Sequence, residues 1–275
     1  MKEYIEIIRP SIVFLSALGV MIGAIASKAT ILNLVLAIAS VALISSAGIV
    51  TNDYYDYEID KINAPHRPLP SGRISKKFAK IYALFLFIIG TAIASLINIY
   101  CFALAIINSF LEFFYARNLK RIALIGNATD SWFVASTFIY GYLASLGKEL
   151  IIADNFYLIF IFSLLSFFAN IGREIFGDIE DLNGDKKLGL KTLPIITSVK
   201  FSRFIASSFI ILAVILSPLP FLLGFFSYEY IAIVLIADLL FIYSIFQEPK
   251  KNQKISKFAM LIAIIAFLVG ILAQS

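Results

Sequence analysis

The sequence predicts an all-α membrane protein, a polytopic bundle of nine transmembrane helices. Three observations carry that prediction. Of the 275 residues, 60% are hydrophobic and only 15% charged, where soluble domains carry roughly a quarter. Apolar runs near the length of one bilayer crossing recur along the whole chain, about 20 residues being needed for a core about 30 Å thick. Between those runs, the basic residues gather in alternate loops. This composition excludes a soluble enzyme, a disordered chain and a disulfide scaffold. A β-barrel is excluded too, because the runs are continuously apolar and do not alternate with period two. The one cysteine, Cys101, can form no internal disulfide and reads as packing.

The first span is expected at 11–27, preceded by Lys2 and Arg9. A cleaved signal peptide with a processing site at Ala24-Ile25-Ala26 competes for this stretch. Its length and flanking charge match those of the later runs, so it is read as retained. Spans at 31–51, 81–97, 99–115, 122–146, 156–173, 203–222, 228–246 and 257–273 follow, with Pro218 and Pro220 blurring the end of the seventh. Alternate loops hold 21 of the 23 basic residues and leave Lys28 and Lys148 on the other side. Lys and Arg concentrate in cytoplasmic loops. The N-terminus and the charged loops are therefore expected in the cytoplasm, and the C-terminus outside.

Acidic residues are placed differently. Nine of the 18 lie in two short segments that close spans on the predicted cytoplasmic side. Residues 53–60 read D-Y-Y-D-Y-E-I-D and residues 178–185 read D-I-E-D-L-N-G-D, both D-x-x-D-x-x-x-D. On a helix these offsets share one face, so each segment displays a stripe of three carboxylates. Asn52-Asp56-Asp60 is a second alignment, stepping by four. One such stripe alone reads as a solvated helix end. Two stripes of identical spacing on one membrane face read as a metal site, because their mutual repulsion calls for cations. Hard divalent ions such as Mg²⁺ take oxygen ligands, commonly one or two carboxylates plus substrate phosphate oxygens. With His66 as the only histidine, zinc and haem ligation have no ligand set.

The segment from Asn52 to Asp60 with its continuation K-I-N-A-P-H-R-P-L-P-S-G-R resembles the first aspartate-rich motif of the UbiA-type intramembrane prenyltransferases. The segment R-E-I-F-G-D-I-E-D-L-N-G-D-K-K-L-G-L-K-T-L-P from Arg173 resembles their second motif. Y-A-R-N-L-K-R from Tyr115, followed by Gly126-Asn127, is similar to their loop between spans four and five. The resemblance extends over essentially the whole chain. It implies a single domain, 1–275, with helices around a central cavity and cytoplasmic cap loops at about 56–80 and 174–202. It also implies Mg²⁺-dependent transfer of a prenyl group from its diphosphate, with release of pyrophosphate.

By position, Asn52, Asp53, Asp56 and Asp60 fall on the first motif, and Asp178, Asp181 and Asp185 on the second, as metal ligands. Asn52, Asp56, Asp181 and Asp185 are the foremost of these, although Asn183-Gly184 is a candidate helix stop ahead of Asp185. Lys120 and Arg67 are the expected pyrophosphate partners, with ordinary positive-inside charge as the competing explanation. Tyr115 either faces the developing cation or anchors at the interface. Arg173 and Lys187 are further phosphate candidates, for which lipid headgroups are an equal explanation. Asp56, Asp181, Lys120 and Tyr115 form the expected catalytic set.

Glu112, Asp130 and Asp238 are costly in lipid and are candidates for a cavity, while Asn98, Asn108 and Asn170 are read as joining helices. For the acceptor, the wording of both motifs resembles most the family members that act in archaeal ether-lipid synthesis. These join a geranylgeranyl group to the glycerol hydroxyl of geranylgeranylglyceryl phosphate. Arg9, Arg67 and Arg73 are then candidates for the acceptor phosphate. The expected partners are accordingly a prenyl diphosphate, a lipid acceptor and the membrane itself, with no nucleic acid. An aromatic acceptor such as 4-hydroxybenzoate, homogentisate or a naphthoate is compatible with the same motifs. A transporter or channel would instead need acidic residues deep in several spans.

Overall fold

The computed structural model describes residues 2–147, 155–187 and 189–273, so Lys148 lies outside the described residues. The described chain is helical, apart from an isolated parallel bridge between Ile122 and Lys191. The helices are α1 (Lys2–Glu6), α2 (Pro10–Ala26), α3 (Ile31–Tyr55), α4 (Tyr57–Asn63), α5 (Lys76–Ile97), α6 (Ile99–Arg117) and α7 (Ile125–Leu143). After these come α8 (Asn155–Glu180), α9 (Leu182–Lys187), α10 (Leu193–Ile196), α11 (Val199–Leu216), α12 (Leu219–Leu222), α13 (Tyr228–Ile245) and α14 (Pro249–Leu272).

Among the described residues, seven segments are long and apolar enough to cross a membrane: α3, α5, α6, α8, Val199–Leu222, α13 and α14. The shorter α2 has 17 residues, and α7 carries Asn127, Thr129, Asp130 and Ser131 in its first half and is not among the seven. The membrane character of the chain stands on these seven helices. Several helices outrun the apolar runs that announce them: α5 begins at Lys76 instead of 81, α8 continues to Glu180 instead of 173, and α14 begins at Pro249 instead of 257. The backbone ladder needs no apolar side chains once it leaves the hydrocarbon. Much of each expected cap loop is consequently helical.

Helix starts follow local sequence. Thr30, Ser75, Asn98 and Ser198 each accept a backbone N–H three residues on, at 3.2, 3.1, 2.8 and 3.1 Å, opening α3, α5, α6 and α11. Each cap satisfies one of the N–H groups that a helix start leaves without an intrahelical partner.

The chain divides into two compact units, Met1–Leu119 with Tyr140–Ile151, and Lys120–Ile139 with Ile152–Ser275. In the first, α3 packs against α2, α5 and α6. Ser40 on α3 donates to the Gly90 carbonyl and pairs with the Tyr140 hydroxyl, both at 2.8 Å. At Gly141 a side chain has no room, because a Cβ there would lie 2.2 Å from the Val20 carbonyl oxygen of α2. Small residues permit such close helix approach inside membranes.

In the second unit, α8 packs on α11 and α14, and α13 pairs with α14. Gly172 lets α8 approach α11, since a Cβ there would meet the Ala206 carbonyl at 2.7 Å. Phe162 stacks on Phe267 with ring centres 4.0 Å apart. Asp238, a cavity candidate from the sequence, is buried and accepts from Ser217 at 2.6 Å. Asn98 donates to the Leu143 and Leu146 carbonyls, and so joins helices as expected.

Candidate active site

The first acidic segment occupies the α3–α4 junction. Asp56 separates the two helices, yet its N–H donates to the Asn52 carbonyl at 2.9 Å, and the Asp60 N–H donates to the Asp56 carbonyl at 2.7 Å. The four-residue ladder thus runs through the junction and stacks Asn52, Asp56 and Asp60 one turn apart. Asn52 and Asp56 are half-buried, whereas Asp53 and Asp60 are buried.

Arginines from two other segments reach the buried pair. Arg9, in left-handed backbone (φ 49°) just before Pro10, donates to Asp53. Arg67 donates to both Asp60 oxygens at 2.7 and 2.8 Å, and lies 3.9 Å from Asp53. The segment carrying Arg67 is held from below by Leu69 and Ile74, which pack against Ile7, Val50, Ala79 and Ala83. Arg73 is bidentate to Glu6 at 2.7 and 2.8 Å and also donates to the His66 carbonyl. A buried carboxylate is tolerated only when paired and hydrogen-bonded. Here Arg9 and Arg67 supply that compensation.

On α6, Tyr115 is half-buried in the last turn. Three residues earlier, the Glu112 carboxylate packs directly on Gly48 of α3, one turn inward of Asn52. A Cβ at position 48 would lie 2.4 Å from it.

The second acidic segment repeats the construction of the first. The Asp181 N–H donates to the Gly177 carbonyl and the Asp185 N–H to the Asp181 carbonyl, both at 2.9 Å, so α8 passes into α9 with the stripe intact. Asn183-Gly184 does not stop the helix. The stop is Gly189 (φ 67°), whose N–H donates to the Lys186 carbonyl while the Leu190 N–H reaches the Asp185 carbonyl. That pair of bonds is a Schellman ending.

Asp178 accepts from the buried Asn127 amide at 2.9 Å, and Asp185 accepts from the Thr192 hydroxyl at 3.3 Å. Burial pushes the Asp185 carboxyl up to about 6, and neighbouring Asp181 adds to the shift while the Thr192 hydroxyl opposes it. Lys120 sits in a short 3₁₀ turn, Leu119–Arg121. Two backbone bonds tie that turn to the chain beyond α9: Lys191 N–H to the Arg121 carbonyl at 3.2 Å, and Ala123 N–H to the Lys191 carbonyl at 2.9 Å.

Deeper in α8, Arg173 donates to Asn170, to Gln253 at 2.8 Å and to Glu174, and Asn170 donates to Asp130 at 2.9 Å. Arg173 is therefore a member of a side-chain network inside the unit, whereas Lys187 is exposed at the end of α9. Gln253 lies 80 positions from Arg173, and no spacing in the sequence points to that contact. Thr192 and the Glu6–Arg73 pair were equally silent.

Among the described residues, no group of three or more His, Cys, Asp or Glu side chains is gathered in a metal-holding arrangement. What the two segments offer is aspartate carboxylate oxygens, joined on the first by the Asn52 amide oxygen, all hard donors. That donor set fits Mg²⁺, which keeps waters and phosphate oxygens in its shell, and does not fit zinc or a soft metal. The residues present therefore suit a hard ion that arrives with a phosphorylated substrate.

The chain matches the UbiA prenyltransferase family over residues 12–269. It is 39% identical to a digeranylgeranylglyceryl phosphate synthase from Methanococcoides burtonii, covering 98% of this chain and 100% of that protein. To the protein of the same name from Pyrococcus furiosus it is 40% identical, over 99% and 98%. Among solved structures, one concerned with digeranylgeranylglyceryl phosphate synthase in membranes superposes with a TM-score of 0.80 at 37% identity, covering 98% of each chain. An apo UbiA homolog from Aeropyrum pernix shares the fold with a TM-score of 0.82 at 20% identity, over 97% and 98%. The same fold recurs in an Archaeoglobus fulgidus UbiA homolog bound to DMAPP and Mg²⁺, with a TM-score of 0.72 at 20% identity, over 97% and 99%. On the match across residues 12–269 and the full-length identity, this chain belongs to the UbiA prenyltransferase family.

Proposed function

We propose that this protein is a Mg²⁺-dependent digeranylgeranylglyceryl phosphate synthase. It moves a geranylgeranyl group from geranylgeranyl diphosphate to the glycerol hydroxyl of geranylgeranylglyceryl phosphate, making an ether bond of archaeal lipids and releasing pyrophosphate. The observation that carries this reading is identity near 40% over the full length of synthases with that activity in their names. On this reading α2 and α7 span the membrane beside the seven apolar segments, and the positive-inside rule supports a cytoplasmic N-terminus and cytoplasmic aspartate segments.

The roles follow from the chemistry. Asn52, Asp53, Asp56 and Asp60 on one segment, and Asp178, Asp181 and Asp185 on the other, present oxygens for Mg²⁺. When bound, the ion neutralises charge that develops on the departing diphosphate. Arg67, Lys120 and Lys187 are cationic donors suited to diphosphate oxygens, and Arg9 and Arg173 hold neighbouring carboxylates in place. Tyr115 offers a ring face to the allylic carbon as its C–O bond loosens. The apolar helices keep water from that carbon, so the acceptor hydroxyl attacks it in place of water.

The test is purified protein with radiolabelled geranylgeranyl diphosphate, offered geranylgeranylglyceryl phosphate and, separately, aromatic acids. Radiolabelled product is expected from the glyceryl phosphate alone. Product only with an aromatic acid overturns the acceptor assignment.

A pH effect accompanies Mg²⁺ binding. The Asp185 carboxyl, raised from 3.8 to about 6, keeps its proton in the folded protein where the unfolded chain has lost it. Across that window its contribution to the metal-free fold weakens as pH rises, and a cation offsets the cost once the group is ionised. Mg²⁺ is therefore expected to raise the thermal midpoint more at about pH 7.5 than at about pH 5.5. Equal increments at both would remove Asp185 from the ion's ligands.

A further inference from the structure

Asn127 is buried at the start of α7, and both ends of its amide are committed. Its Nδ2 donates to Asp178 Oδ2 at 2.9 Å, and its Oδ1 accepts the Leu124 N–H at 3.2 Å. A carboxylate accepts only and a backbone N–H donates only, so the two partners define the amide's orientation without ambiguity.

The Leu124 end is strained. Leu124 has φ 63°, a left-handed conformation uncommon for a bulky branched side chain and sustained only where its surroundings impose it. Here the imposing bonds are local: Asn127 holds its N–H, while the Ala128 N–H holds its carbonyl at 2.8 Å. Immediately before it, Ala123 is bonded to Lys191, and next along the chain Thr192 donates to Asp185. The turn that carries Lys120 is thus fastened to the second acidic segment twice, at Asp178 through Asn127 and at Asp185 through residues 191–192.

On the proposed reading of the reaction, Lys120 contacts diphosphate and Asp178 contacts the ion that the diphosphate binds. Asn127 bonds on both sides: its Oδ1 accepts the N–H of Leu124, just past the Lys120 turn, and its Nδ2 donates to Asp178. We propose that Asn127 is a positioning residue that couples the Lys120 turn to Asp178, so that diphosphate contact and metal ligation are set together. Supporting groups that orient metal ligands typically change affinity by about 10–100-fold when removed.

The experiment compares the full-length parent protein with Asn127→Ala and with Asn127→Leu, which fills the volume without the hydrogen bonds. Thermal midpoints are read in detergent with no addition, with Mg²⁺ alone, and with Mg²⁺ plus inorganic pyrophosphate. Kinetics give the Mg²⁺ activation constant and the KM for geranylgeranyl diphosphate. Both variants are expected to lose most of the shift produced by Mg²⁺ and pyrophosphate, and to raise both constants together by about tenfold or more. A merely structural role predicts a lower midpoint with no addition and unchanged constants, which would overturn the coupling. If the parent itself shows no shift with Mg²⁺ and pyrophosphate, the underlying reading of the acidic segments fails and the inference falls with it. A normal parent shift retained in both variants sinks the inference alone.

Discussion

Asp56→Ala and Asp181→Ala each abolish Mg²⁺-dependent prenyl transfer while the helices stay folded. Both carboxylates belong to ladders whose backbone bonds survive truncation: Asp56 N–H to Asn52, Asp60 N–H to Asp56, and Asp181 N–H to Gly177. Asp56 is half-buried and Asp181 exposed, so neither change opens a large cavity. Metal ions supply several kcal/mol of transition-state charge stabilisation. On the proposed roles, each single loss is expected to lower kcat/KM by about a thousandfold, or ~4 kcal/mol. The check is turnover across a Mg²⁺ titration together with circular dichroism of each variant. Activity within about tenfold of the parent at saturating Mg²⁺ takes that carboxylate out of the metal site.

Arg67→Ala combines a stability effect with a catalytic one. The Arg67 Nη1 donates to both oxygens of the buried Asp60 and approaches the buried Asp53. Removing it deprives Asp60 of its charged partner, and a hydrogen bond to a charged group contributes about 2 kcal/mol. The segment from Ala64 to Ser75, seated on its underside by Leu69 and Ile74, then loses its polar anchor. Transfer is expected to fall about a hundredfold, with faster amide exchange across residues 64–75. Arg67→Lys is expected to restore part of the loss, because both Asp60 oxygens are met by Nη1 alone, a contact that a single ammonium can also make. A lysine variant as impaired as Arg67→Ala in turnover and exchange would refute the role of this ion pair.

Much of this arrangement is legible from one chain. Seven of the expected spans coincide with apolar segments long enough to cross a membrane, because a membrane helix advertises itself by continuous apolarity. The doubled D-x-x-D-x-x-x-D spacing marks the two acidic segments, and the ladders through Asp56 and Asp185 keep each stripe on one face. The doubt over Asn183-Gly184 is settled by Gly189, which supplies the left-handed residue that the helix ending needs.

Other features had no local signature. Arg9 and Arg67 could be recognised as cations near an acidic segment, but not as the specific partners of Asp53 and Asp60. Arg173 offered the same positive charge as Lys187. Only packing separates the two, Arg173 locked to Asn170, Glu174 and Gln253 and Lys187 exposed. Asp238 looked unpartnered until Ser217, 21 positions away, was found beside it.

By itself the sequence determined the membrane class, the helical periods, the place of the two acidic stripes and the hard-oxygen chemistry they offer, since all of these depend on residue type and near-neighbour spacing. Tertiary structure alone decided which carboxylates are held by arginine, which by Asn127 and Thr192, and how the Lys120 turn is fastened to the second stripe. Those pairings join residues as far apart in the chain as Arg121 and Lys191. They depend on how helices approach at Gly141 and Gly172, and long-range partners of a buried charge are selected by geometry that no local pattern encodes.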